Sequence, residues 1–96
     1  MSDRLSDGTV TRVSVTAEHI AAGTPRSCGE CPIALALLAA FPDAIRVDVD
    51  TESARLYAPE GRYRAAMPPE AGEFISRFDD ELPVEPFTFN LIWRLR

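Results

Sequence analysis

The chain has 96 residues, 46% of them hydrophobic, and a net charge of −5 from fifteen acidic and ten basic side chains. One small domain with a modest core fits that length, and global disorder does not fit that hydrophobicity. The acidic balance excludes general nucleic-acid binding and an anionic membrane surface, both of which need a basic footprint. A local basic patch for a small phosphate-bearing ligand stays open.

All ten basic residues are arginine. Coding bias in a GC-rich genome accounts for this, although the planar guanidinium fork also suits carboxylate and phosphate. Met1 to Gly8 is polar and reads as a flexible leader to a single domain over 9–96. It has no apolar secretory core, so the two cysteines point to a reducing, cytoplasmic compartment. The longest apolar run, Ile33 to Phe41, is too short to cross a bilayer. Small domains gain from association, and a homo-oligomer is expected.

The first element is a strand over Val10 to Thr16, with Val10, Val13 and Val15 loosely alternating. Thr16 is placed to cap a single helical turn from Ala17 to Ala22, which Gly23 would end in the left-handed conformation. A loop from Thr24 to Glu30 leads to the main helix, Pro32 to Ala40, with Cys31 as its N-cap. That helix carries no charge and is expected to be buried on most sides until Pro42 stops it.

Ala44 to Asp50 alternates Ile45, Val47 and Val49 with Arg46, Asp48 and Asp50, which marks a half-buried strand. Ala54 to Ala58 and Arg62 to Met67 form a hairpin around Pro59-Glu60-Gly61, with the faces of Tyr57 and Tyr63 undetermined. Pro69 to Asp79 is an amphipathic helix, its apolar side made by Ala71, Phe74, Ile75 and Phe78. Phe87, Phe89, Leu91 and Trp93 alternate along a last strand. The order predicts an α+β fold: an antiparallel or mixed sheet of about five strands with both helices packed on one face.

The Cys28-Gly29-Glu30-Cys31-Pro32 turn is the densest chemical feature. A thiolate at a helix N-terminus suits disulfide exchange, but Glu30 opposes its formation and the preceding segment is a polar loop. Cys28, Cys31 and His19 with a carboxylate would make a zinc site. Alternatively the helix amides matter, and Thr24, Arg26, Ser27, Cys28, Gly29 and Cys31 hold a small anion, with Arg26 as its charge partner. The bland reading makes Cys31 a buried cap and Arg26 a solvated side chain.

Asp48 and Asp50 stand roughly 7 Å apart on one strand face, where Arg62 and Arg64 would pair with them across the sheet. A second constellation is Trp93 with Arg94, residue types enriched at interfaces, although core packing also explains the tryptophan. No phosphate loop, zinc-protease helix or nucleophile elbow is present.

Val-Thr-Ala-Glu-His-Ile-Ala-Ala-Gly (15–23), Cys-Pro-Ile-Ala-Leu-Ala-Leu (31–37), Phe-Ile-Ser-Arg-Phe-Asp (74–79) and Pro-Val-Glu-Pro-Phe-Thr-Phe (83–89) carry a likeness spanning most of the chain. Together they resemble small uncharacterised proteins of actinobacteria and their phages. The resemblance implies an intracellular accessory protein and brings no activity or ligand with it. The expectation is a non-catalytic, cofactor-free binding module for a host protein or a small phosphorylated, nucleotide-like ligand. The alternative is a zinc or thiol-redox domain.

Overall fold

The computed structural model describes residues 5–96, which form five strands and three helices. The strands are β1 (Val10–Val15), β2 (Arg46–Val49), β3 (Ser53–Ala58), β4 (Gly61–Ala66) and β5 (Phe87–Leu95). The helices are α1 (Ala17–Ala22), α2 (Pro32–Ala40) and α3 (Pro69–Asp79). The sheet has the order β1-β5-β4-β3-β2, and every neighbouring pair is antiparallel. The α+β expectation holds, with a wholly antiparallel sheet.

The apolar helix α2 organises the molecule. It packs against both β1 and β2, the two edges of the sheet, so the sheet curls around it as a half-barrel. Ile33, Ala34 and Leu37 have no exposed surface. The strands turn Val13, Val15, Val47, Val49, Leu56, Tyr63, Phe89, Leu91 and Trp93 toward it. Trp93 is fully buried, meets the Phe41 ring edge-on at 6.2 Å and donates its indole N–H to Thr11 Oγ1 at 3.0 Å. Both its apolar area and its one polar atom are satisfied inside, which excludes Trp93 as a surface anchor.

Helix α3 covers one end of the half-barrel. Phe74 stacks on Phe87 at 4.8 Å, and Phe87 on Phe89 at 5.1 Å, joining the helix to the start of β5. Gly72 lets the helix approach the Thr51 carbonyl, which a Cβ there would meet at 2.8 Å.

The caps follow from local chemistry. Thr16 accepts from the His19 amide, and His19 Nδ1 accepts from the Thr16 amide, a reciprocal capping box at α1. Gly23 is extended, with φ −71° and ψ 152°, rather than left-handed. Space is its physical reason: a Cβ there would lie 2.7 Å from Pro32 Cδ.

The leader expected over residues 1–8 lies partly on 1–4, outside the described residues. Leu5 belongs to the core, and the Tyr63 hydroxyl donates to its carbonyl at 2.9 Å. Gly8 donates its amide to the Trp93 carbonyl at 2.7 Å, so 5–8 extend the β1 side of the sheet. Among the described residues no helix is long and apolar enough to cross a membrane.

Candidate functional site

The loop before α2 is tied into the fold at each step. Thr24 donates its amide to Glu30 at 2.8 Å, closing the loop, and Val49 donates to the Cys28 carbonyl at 2.8 Å. The second bond lays the loop along the free edge of β2. Cys31 is buried and caps α2, its Sγ accepting from the Ala34 amide at 3.4 Å. With Pro32 lacking an N–H, the helix terminus has few amides left to offer a ligand. Burial raises the pKa of the Cys31 thiol against the opposing pull of the Ala34 and Ile33 amides. It stays protonated near neutrality, the wrong direction for a reactive thiolate.

Arg26 is engaged with acidic residues at the end of α3. At φ 59° it is left-handed, held there by its amide donating to Asp79 Oδ1 at 2.8 Å. Its guanidinium donates to the Asp79 carbonyl at 2.6 Å, and Glu81 lies 3.9 Å away. The adjoining cleft, about 320 Å³, is lined by Arg26, Ser27, Cys28 and Cys31 but also by Asp50 and Asp79. Those two carboxylates disfavour an anion there. Gly29 brings the backbone close to Val47, not to open space.

His19 serves its capping box. Among the described residues no three His, Cys, Asp or Glu side chains are gathered as a metal site, so His19, Cys28 and Cys31 are not brought together as one. A larger cleft of about 560 Å³ lies beyond the end of α2, between Phe41 and the β3–β4 turn. Its charged lining residues are Asp43 and Glu60, again unsuited to an anion.

The outer face of the sheet is different in kind. Alternation turns Arg12 on β1, Arg46 on β2, Arg55 on β3, Arg62 and Arg64 on β4, and Arg94 on β5 away from α2. Six of the ten arginines therefore share one surface, while Asp48 is the one acidic residue within the five strands. The register sets Arg55 opposite Arg64, and Arg64 opposite Arg94. Three guanidinium side chains thus form a row across adjacent strands.

Their counter-charges lie at the two ends of the row; at one of them, Asp48 on β2 stands directly opposite Arg55. Asp50 lies 3.4 Å from Arg55 and Asp7 3.8 Å from Arg94. Such partly exposed pairs are screened and weak. Arg12, Arg62 and Arg64 form no ion pair among the described residues. Asp48 is bound by Arg46 at 3.0 Å, and Asp50 accepts the amides of Glu52 and Ser53, each at 2.8 Å. Neither carboxylate pairs with Arg62 or Arg64, because β3 lies between β2 and β4.

The chain matches no protein-family model, no curated protein and no solved structure. Function must be argued from this surface itself. Beside the arginine row, Ala66, Ile92 and Val10 follow one another on β4, β5 and β1, with Ile92 half exposed at 50% and Val10 at 59%. On its other side Tyr57 lies opposite Arg46 and Arg62, with the Arg46 guanidinium over its ring at 5.9 Å. Arg94 belongs to this surface while its neighbour Trp93 does not.

Proposed function

We propose that the chain is a non-catalytic binding module whose recognition surface is the outer face of the sheet. On this reading it is a cytoplasmic, phage-type accessory protein that engages an anionic surface of a host protein. The observation behind it is the row Arg55–Arg64–Arg94. Like charges directly opposite on neighbouring strands cost roughly 0.2 to 1 kcal/mol a pair. Asp48, Asp50 and Asp7 offset charge at the ends of the row. Arg64 at its centre has no ion pair among the described residues, and an outside anion would relieve the cost of its two like-charge neighbours.

Shape supports a macromolecular partner over a nucleotide-like one. Small-molecule sites are concave and enclose their ligands, whereas this face is the convex side of the curl. A homo-oligomer stacked through this face would oppose the arginine rows of two copies, so self-association is assigned to another surface.

Hexaglutamate is a minimal probe. In an NMR titration, amide shifts are expected to centre on Arg55, Arg64 and Arg94. Raising salt from about 0.05 to about 0.5 M should abolish them, because exposed charges are screened within a few ångströms. Shifts confined to residues 24–31, or none at low salt, would overturn this assignment.

A further inference from the structure

Granted that the outer face is the recognition surface, we infer that its occupant is an acidic amphipathic helix of a partner protein, laid across the strands. Two parallel rows carry the inference. One is cationic, Arg55–Arg64–Arg94 on β3, β4 and β5. The other is apolar, Ala66–Ile92–Val10 on β4, β5 and β1, two residues along from the arginines on β4 and β5 and displaced by one strand toward β1. The cationic row spans two strand spacings, roughly 10 Å. Seven residues of α-helix rise about 10.5 Å, so carboxylates at i, i+4 and i+7 reach all three arginines. An aliphatic stripe beside them then falls on Ala66 and Ile92, and one further helical turn reaches Val10 on β1.

Other occupants fit less well. Single-stranded nucleic acid needs aromatic platforms for its bases, and Tyr57, the one aromatic on this face, is already stacked by Arg46. A long polyanion also meets the −5 charge of the whole chain beyond the patch. Aliphatic exposure beside arginine is instead the composition of a protein interface. A second copy of this chain would bring the exposed acids Glu70 and Glu73 of α3, which adjoin Arg77, or Asp80, Glu81 and Glu85 beside Leu82, which lie past the end of α3 and outside any helix.

The test compares four probes against the full chain: hexaglutamate, oligouridylate, and two helical peptides of about 18 residues. One peptide carries Glu at i, i+4 and i+7 beside a leucine stripe; in the other, serine replaces the leucines. The Glu/Leu peptide should bind about tenfold tighter than the Glu/Ser peptide. Arg64→Thr should weaken the Glu/Leu peptide about tenfold, and Ile92→Ser should erase the leucine advantage while sparing hexaglutamate. Equal affinities for the two peptides would overturn the amphipathic helix and leave the anionic face standing. Tighter oligouridylate binding would overturn the partner class. Loss of binding by every probe, hexaglutamate included, would remove the face as well. Concentration-dependent sedimentation of the free chain that Ile92→Ser abolishes would assign the face to a second copy instead.

Discussion

The loop at the start of α2 and the outer face of the sheet both gather polar chemistry, and they treat it in opposite ways. In the loop the groups that tie the chain down have internal partners: Arg26 has Asp79, Cys31 has the Ala34 amide, and the Cys28 carbonyl has Val49. On the sheet, Arg64 faces Arg55 on one side and Arg94 on the other. The first arrangement is what a fold does to stabilise itself. The second sets like charges against one another, which is why the proposed recognition surface is placed there rather than at the cysteine motif.

The largest effect that tests this division separates two adjacent residues on opposite faces of β5. Trp93→Ala removes a fully buried indole and should cost about 3 to 5 kcal/mol in denaturant unfolding. Arg94→Ala, next to it, should change stability by less than about 0.5 kcal/mol and weaken hexaglutamate binding. A small loss for Trp93→Ala would mean that the tryptophan does not hold β5 to α2.

Gly23→Ala probes the loop region next. The backbone there suits alanine, but the added methyl would meet the Pro32 ring at 2.7 Å. Overpacking of this kind costs about 1 to 3 kcal/mol, and hexaglutamate affinity should not move. A Gly23→Ala protein that unfolds at the wild-type denaturant midpoint would show that the α1–α2 junction has room to give.

Much of this structure was legible in advance because it is local. Thr16 and Cys31 as caps, the bounds of α1, α2 and α3, and the alternation of β2 and β5 follow from capping chemistry and periodicity over a few residues. The faces of β3 and β4 and the exposure of Val10 and Ile45 do not. The surface built from those strands was not legible. Arg64 and Arg94 become neighbours only because β5 enters between β1 and β4, and strand order is not written in alternation. Each arginine sat at an outward position; the row exists only once the strands are ordered. The same non-locality hid the fate of Arg26, whose partner Asp79 is 53 positions away.

Arg26 and Arg64 together give a sharper contrast, with opposite signs. Arg26→Ala loses a hydrogen bond to the Asp79 carbonyl and should destabilise by about 0.5 to 1 kcal/mol without altering hexaglutamate affinity. Arg64→Thr relieves two like-charge pairs and puts a strand-favouring residue on β4, so it should stabilise by about 0.5 kcal/mol while affinity falls. Side-by-side denaturation and titration of the two variants decides the matter. Equal signs in stability, or affinity lost in Arg26→Ala, would reverse the roles of the two regions.

The smallest effect is a titration, and it reads the field of the arginine row directly. Partial burial pushes the Asp50 carboxyl up, but the amides of Glu52 and Ser53, then Arg55 and Arg64, outweigh it and hold the pKa below the usual aspartate value. A carboxyl depressed by folding contributes stability that is complete above its unfolded pKa. That contribution is lost as pH falls through the lowered folded value. Arg64→Thr removes one of the two cations, so the Asp50 pKa, followed by its carboxyl carbon shift, should rise toward the ordinary value. The acid loss of stability from this group should then be smaller than in the wild-type chain and be complete at a higher pH. Arg26→Ala should leave that titration where it is, because Arg26 has no part in holding Asp50. An Asp50 pKa indifferent to Arg64 would mean that solvent already screens the row, and a row screened that well would hold a partner's carboxylates no better than it holds this one.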